Sequence, residues 1–162
     1  VTGPTAAGFV KLFPAGALRY WKSRAFAELA EEAIDEIADW GSRRPTPLTD
    51  ITIWHHGGAM GRVGESETAY AGRDAPFLVT GEASWTEPSQ TDEAIAWGRA
   101  FWDAMGRHST GGIYLNFPGL GEEQEELVRA GYGVNYDRLA ALKAEYDPTN
   151  LFRMNLNITP AG

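Results

Sequence analysis

The segment Ala75–Trp85 constrains the fold of this chain more than any other part of the sequence. It is rich in residues that favour β-strands, and Pro88 follows soon after its end. Strand side chains alternate between the two faces of a sheet, so one face of this strand is mostly polar and the other apolar. The first face carries Leu78, Thr80, Glu82 and Ser84, and the second carries Phe77, Val79, Gly81, Ala83 and Trp85. The pattern predicts a sheet that is covered on one face and open on the other.

Helical patterns both precede and follow this strand in the sequence. From Ser23 to Trp40, apolar residues recur at three- and four-residue steps. After the strand, Ser89 and Asp92 form a capping-box signature, and helical spacing continues to Gly106. Further predicted elements are a short strand near Phe9–Leu12, strands at Thr49–His56 and Gly111–Phe117, and helices at Glu122–Ala130 and Asn135–Tyr146. Because strands and helices do not alternate strictly, we expect an α+β fold, a mostly antiparallel sheet with helices packed on one face and the open face covering a ligand.

Composition narrows the class of protein. A chain of 162 residues with 43% hydrophobic residues predicts one globular domain. Asp and Glu outnumber Lys and Arg by 22 to 14, so nucleic acid is not an expected partner. No apolar stretch approaches the roughly 20 residues of a membrane helix, so no membrane partner is expected either. The absence of cysteine excludes disulfides, thiolate metal clusters and a cysteinyl cofactor linkage.

The amino terminus suggests a domain boundary. Glycine and proline are frequent in residues 1–19, which we interpret as a linker or the end of a preceding domain. Val1 stands where an initiator methionine would be, so we expect a longer polypeptide before it. The cellular compartment stays open.

Five segments, in a fixed order, point to one protein family. They are Tyr20–Ser23, Gly57–Met60 with Thr68–Tyr70 and Arg73–Ala75, Gly112–Asn116, Asn135–Leu139, and the tail from Tyr146 to Pro160. Together they resemble the carboxy-terminal domain of the berberine-bridge-enzyme-like FAD-linked oxidoreductases, over residues 20–162. One departure is Leu156, which stands where the family usually has glutamine.

The resemblance implies a function. It implies that FAD is bound mostly by an amino-terminal domain, which would be the partner of this chain. The open face of the sheet would then cover the substrate above the flavin ring, and the enzyme would oxidise an alcohol, a sugar or a secondary metabolite by hydride transfer. The chain alone would be inactive. The alternative is a stand-alone binding or interaction module derived from this domain.

Two side chains are candidate bases, because oxidation by hydride transfer also requires a group that accepts a proton. Tyr114 matches the family position at which a tyrosine stands beside substrate and flavin. Glu82 is the second candidate, since a glutamate inside a strand is uncommon and family members place acidic groups on the equivalent strand. From the residues alone, a packed core residue is the more common explanation for Tyr114, and a solvated sheet face is the more common explanation for Glu82.

Further candidates follow from strand faces. Trp54 and His56 lie on the face that lines the sugar site in carbohydrate-oxidising relatives, and Thr80 shares the face of Glu82. Asn116 and Asn155 are the candidate cofactor contacts. His55 and His56 point in opposite directions as strand neighbours, so no metal site is expected. An open polar and aromatic face also predicts self-association.

Overall fold

The computed structural model describes residues 14–119, 125–154 and 156–162. The strands are β1 Leu18–Phe26, β2 Asp50–His55 and β3 Phe77–Trp85. The α-helices are α1 Glu31–Ser42, α2 Thr91–Met105, α3 Glu125–Tyr132 and α4 Tyr136–Tyr146. Short 3-10 turns occupy Met60–Arg62, Pro88–Gln90, Gly106–His108 and Gly133–Asn135. None of the helices in these ranges is long and apolar enough to cross a membrane.

The three strands form one antiparallel sheet in the order β1-β3-β2. The strand predicted at Ala75–Trp85 is therefore the central one, and Glu82 lies between Trp21 on β1 and Asp50 on β2. Helices pack against the sheet. The predicted α+β class and antiparallel sheet are confirmed.

The apolar face of β3 forms the main core together with α1 and α2. Its buried members include Tyr20, Phe26, Ala33, Ile37, Val79, Ala83, Trp85, Trp97, Phe101 and Met105. The rings of Trp97 and Phe101 stack at 5.5 Å with an interplanar angle of 4°. Gly81 lies directly beneath Phe101, where a Cβ atom would collide with the ring. Burying each large apolar side chain contributes about 1.5–3 kcal/mol, so this layer holds the helices on one face of the sheet.

The helix predicted from Ser23 is wrong in its first part, because residues 18–26 form strand β1. The true helix begins at Glu31. The period-two pattern of β1 is concealed because Lys22 and Arg24 occupy the helix-covered face. Both cations lie over the ring of Trp102, at 4.0 and 3.4 Å from its centroid, so charged residues take the place that apolar ones would normally hold.

The strand predicted at Gly111–Phe117 is also absent from the described structure. This segment runs along the edge of β1, and the two backbones meet at two points. The backbone N–H of Ala25 donates to the backbone oxygen of Gly112, and an isolated β-bridge joins Lys22 to Pro118 at the end of the segment. Tyr114 accepts a hydrogen bond from the backbone of Phe117 at 2.9 Å, which closes a turn. The ladder is interrupted here, so the segment is a loop rather than a fourth strand.

Most of the remaining predicted strands and helices are present in the structure. The strands at Thr49–His56 and Ala75–Trp85 and the helices after Ser89 and Asn135 are confirmed, with boundaries shifted by a few residues. The helix predicted from Glu122 is observed from Glu125 to Tyr132. The strand near Phe9–Leu12 lies outside the described residues. The division between residues 19 and 20 stays a prediction.

Candidate active site

The candidate site lies on the face of the sheet opposite α1 and α2. The side chains on this face come from Trp21, Ser23, Ala25, Thr52, Trp54, Leu78, Thr80, Glu82 and Ser84. Loops cover part of it, since Trp54 and Tyr114 pack against the buried group Ala25, Ala75 and Leu78. The prediction that this face is open is therefore wrong for its centre: Leu78 is 4% exposed, and the polar residues Thr80, Glu82 and Ser84 are at most 4% exposed.

Glu82 is buried at the polar end of this face. Its side chain is only 3% exposed. Its Oε1 atom has no hydrogen-bond partner among the residues that the structure describes. Burial raises the pKa of Glu82, and Asp50 raises it further, while the hydroxyls of Thr52 and Thr80 act in the opposite direction. The neutral form of the carboxyl is thus favoured over a wider pH range than for a free glutamate.

Two indoles lie beside Glu82 and engage its neighbours. Trp54 Nε1 donates to Thr80 Oγ1 at 2.8 Å, and Trp21 Nε1 donates to Ser84 Oγ at 3.3 Å. Thr80 is fully buried, and its hydroxyl donates to the backbone oxygen of Thr52 at 3.1 Å. The polar groups of this end are therefore largely paired with one another, apart from the free oxygen of Glu82.

Tyr114 and Asn116 form the outer part of the site. Asn116 is exposed, and its Nδ2 atom donates to the phenol oxygen of Tyr114 at 2.6 Å. The ring of Tyr114 lies between Tyr70 and Phe117, with centroid distances of 6.1 and 5.3 Å and nearly perpendicular planes. Edge contacts of this kind restrict the ring without covering its hydroxyl. The predicted proximity of Tyr114 and Asn116 is present, but a turn produces it instead of a strand.

His56 reaches the same cluster through Tyr70. The hydroxyl of Tyr70 and Nδ1 of His56 lie 3.1 Å apart. Burial lowers the pKa of His56, and the neighbouring His55 lowers it further, so the neutral imidazole is favoured. A neutral Nδ1 without a proton accepts the hydrogen bond from Tyr70. A small cavity of about 20 Å³ beside this pair is lined by both side chains and is large enough for one water molecule.

The structure brings the sequence candidates together in two layers. Tyr114, Asn116 and His56 belong to the outer cluster, and Trp54 packs beneath it. Glu82 and Thr80 lie in the buried layer. Phe117 links the layers, because its ring contacts both Tyr114 and Trp21. Asn155 lies outside the described residues, so its cofactor contact stays a prediction.

Sequence reasoning missed three aromatic members of the site, Trp21, Tyr70 and Phe117. The sequence pattern gives no sign of Trp21 as a site residue, because it predicts a linker and a helix where the structure has strand β1. Tyr70 and Phe117 lie in loops without any periodic pattern. Only the place of Tyr70 in the segment Thr68–Tyr70, and of Phe117 directly after the segment Gly112–Asn116, could have indicated them.

One further pocket lies apart from this face. A pocket of about 330 Å³ is lined by Lys22, Arg24 and Trp102 on the helix side of β1. Within the ranges described above, no group of three or more His, Cys, Asp or Glu side chains could hold a metal ion. His55 and His56 do point apart, since His55 packs against Phe77 and His56 against Tyr70.

Comparison with known proteins gives a consistent family. A family model described as berberine and berberine like matches residues 113–159. An uncharacterised FAD-linked oxidoreductase of Bacillus subtilis (strain 168), YgaK, is 32% identical over 86% of this chain and 31% of its own length. Aclacinomycin-N/aclacinomycin-A oxidase of Streptomyces galilaeus is 27% identical over 88% of this chain and 28% of its own length. The crystal structure of CrmK, a flavoenzyme of caerulomycin biosynthesis, superposes with a TM-score of 0.78 at 25% identity and covers 91% of this chain and 33% of that protein.

The chain spans about a third of the length of the relatives it matches. The matched region includes Tyr114, Asn116 and the tail, which are the segments that resembled the family in the sequence. The fold agrees as well, since the antiparallel sheet with helices on one face is shared with the flavoenzyme structure. The chain therefore belongs to the berberine-bridge-enzyme-like family of FAD-linked oxidoreductases and carries its carboxy-terminal, berberine-like domain.

Proposed function

We propose that this chain covers the substrate in an FAD-dependent oxidoreductase, with Tyr114 as the base that accepts a proton from the substrate. In the intact enzyme an amino-terminal domain holds most of the FAD. The substrate is an alcohol, a sugar or a secondary metabolite. The observation that carries this proposal is the hydrogen bond from Asn116 to the phenol oxygen of Tyr114, at an exposed place on the candidate face.

The described residues fit one end of FAD. The exposed amide of Asn116 and the rings around Tyr114 offer a polar, aromatic surface for a flavin ring. The excess of acidic residues over basic ones offers little to the diphosphate, which agrees with a second domain holding that part. When bound, FAD supplies the acceptor for the hydride that leaves the substrate carbon. Asn116, and in the undescribed part Asn155, are the proposed cofactor contacts.

Proton removal is assigned to this chain. As the C–H hydride leaves an alcohol carbon, the O–H proton must pass to a base within hydrogen-bond reach. Asn116 donates to the oxygen of Tyr114 that takes the proton, which holds this oxygen in place for the transfer. Trp54 and His56 border the same surface and are the proposed substrate contacts, with Thr80 beneath them. In this arrangement Tyr114 acts as the phenolate, and the substrate O–H proton moves to the phenolate oxygen while the contacts with Tyr70 and Phe117 hold the ring in place.

Glu82 is the second candidate for the base. Its raised pKa suits a proton acceptor, but a residue that is only 3% exposed offers almost no surface to a substrate. Because Glu82 is buried, Tyr114 is the better candidate for the base. Glu82 then belongs to the buried layer beneath the site and keeps its proton to a higher pH than a free glutamate does, because burial raises its pKa.

The test uses the flavin-containing, full-length polypeptide. Tyr114→Phe removes only the hydroxyl, so flavin reduction by substrate without oxygen should slow by about 10²–10⁴-fold. Tyr146→Phe is the matched control, because Tyr146 is 78% exposed on α4 and lies outside the site. If Glu82→Gln slows reduction by that factor and Tyr114→Phe by tenfold or less, Glu82 is the base. If Tyr114→Phe and Glu82→Gln both reduce their flavin at the parental rate, neither residue is the base, and the base then lies in the amino-terminal domain.

A further inference from the structure

The segment Tyr20–Ser23 resembles the family in sequence, but the candidate site gives its last residue no role. Ser23 lies in the middle of β1 and is only 1% exposed. Its side chain points to the face opposite the helices, the same face as Glu82. There its hydroxyl meets the backbone of Tyr114 twice. Tyr114 N–H donates to Ser23 Oγ at 2.8 Å, and Ser23 Oγ donates to Tyr114 O at 3.3 Å.

This contact falls where the backbone of Tyr114 has no strand to hold it. The segment is bonded to β1 at Gly112 and again at Pro118. Between these points the ladder is missing, and the hydroxyl of Ser23 occupies the gap. A single side chain therefore satisfies both the donor and, with Phe117, the acceptor of the residue that carries the candidate base.

Ser23 is itself held firmly. Its backbone pairs with Thr80 in the register of β1 and β3. Its carbonyl oxygen accepts a hydrogen bond from Trp102 Nε1 on α2 at 3.0 Å. Close packing restricts the side chain of a serine that is buried and fixed in this way. The hydroxyl of Ser23 therefore fixes the backbone of Tyr114 relative to the sheet.

We propose that Ser23 is the positioning residue of Tyr114. It sets the place of the Tyr114 backbone relative to the sheet, and thus the place of the phenol relative to Trp54 and to any substrate above it. The effect on the rate rests on the proposed function, whereas the effect on the backbone does not. Misplacing a reacting group by about 1 Å can cost about a hundredfold in rate, so one hydroxyl can matter for activity without touching the substrate.

The test measures both effects in the flavin-containing, full-length polypeptide. Ser23→Ala leaves the Tyr114 amide without its acceptor, so hydrogen exchange of this amide should become at least about tenfold faster. Flavin reduction should slow by about 10- to 100-fold with little change in substrate affinity. Ser23→Thr keeps the hydroxyl in a residue type that strands accept, and it should restore most of both properties.

Thr49→Val is the matched control. Thr49 is fully buried, and its hydroxyl bonds the backbone N–H and C=O of Ser84, each at 3.3 Å, in the same manner as Ser23 bonds Tyr114. Its loss should lower the melting temperature without changing exchange at Tyr114 or the rate of reduction. Comparison with this variant separates loss of a buried hydroxyl from loss of the position of Tyr114.

The outcomes separate the two proposals. Unchanged exchange at Tyr114 in Ser23→Ala overturns the positioning role. So does faster exchange with an unchanged rate, if Tyr114→Phe slows reduction in the same preparation. If exchange becomes faster and neither Ser23→Ala nor Tyr114→Phe slows reduction, Ser23 still positions Tyr114, and it is the assignment of the base that fails.

Discussion

The side-chain amide of Asn116 donates a hydrogen bond to the phenol oxygen of Tyr114 across 2.6 Å, from two residues further along the same turn. The amide is exposed, whereas the ring that it holds is partly buried between Tyr70 and Phe117. A donor on the phenol oxygen favours the phenolate, which is the form that can accept a proton from a substrate. The chemistry of Tyr114 should therefore depend on the identity of residue 116.

Asn116→Asp should impair flavin reduction in the intact enzyme more than Asn116→Ala does. The carboxylate cannot donate, so it would accept a hydrogen bond from the phenol O–H and favour the protonated phenol, whereas alanine only removes the donor. Losing one such hydrogen bond costs about 0.5–1.5 kcal/mol, or up to about tenfold in rate for Asn116→Ala. Rapid-reaction measurement of flavin reduction checks the order. Equal rates in both variants would show that the amide does not act on Tyr114.

Glu82→Gln should make the stability of the protein less dependent on pH. The pKa of Glu82 is raised above its ordinary value of 4.5, so the folded state keeps its proton longer than the unfolded state does. Stability is then lost as the pH rises from about 4.5 through the folded pKa. Glutamine stays neutral, so the melting temperature of the variant should gain on the parent over that range. If the melting temperature of Glu82→Gln falls relative to that of the parent as the pH rises, the burial of a neutral Glu82 is contradicted.

His56 should titrate below the ordinary histidine value of 6.5. Burial is the larger cause and His55 the smaller, so His55→Gln should raise the pKa of His56 only in part. A protonated imidazole cannot accept the hydrogen bond from the hydroxyl of Tyr70. Tyr70→Phe removes this hydrogen bond, but the lowering of the His56 pKa by burial should remain. Titration of the ring proton resonances by NMR measures all three. A parental pKa at or above 6.5 would contradict the buried, hydrogen-bonded position.

Gly131→Ala should destabilise the protein although alanine favours helices. In an open helix this change would stabilise by about 0.8–1.0 kcal/mol. In α3, however, a Cβ atom at Gly131 would overlap the side chain of Leu115, in the turn that carries Tyr114. Thermal unfolding gives the sign of the effect. A more stable variant would mean that the turn and the helix are not in close contact.

The isolated chain should neither hold FAD in stoichiometric amount nor oxidise substrate. The candidate site offers a surface for the flavin ring, but the acidic excess gives no cradle for the diphosphate. Gel filtration followed by an absorbance spectrum checks the first point and also shows whether the chain self-associates. A yellow protein peak with bound flavin would contradict this expectation.

The sequence by itself determined the central strand, the helices beside it and the family. Apolar and polar residues alternate from Val79 to Trp85, and Asn135–Tyr146 has helical spacing, because one face of each element packs against apolar neighbours. The sequence also identifies the candidates Tyr114 and Glu82, because Tyr114 lies in a family motif and Glu82 is an unusual residue type inside a strand.

Only the tertiary structure decided β1, the loop at Gly111–Phe117 and the two layers of the site. β1 escapes a period-two reading because Lys22 and Arg24 gain their stability from Trp102, which is about 80 residues away in the chain. Tyr114 is placed by the hydroxyl of Ser23, and His56 is engaged by Tyr70. Contacts between residues distant in sequence leave no periodic trace, because periodicity records burial against a regular layer and not the partner that each side chain finds.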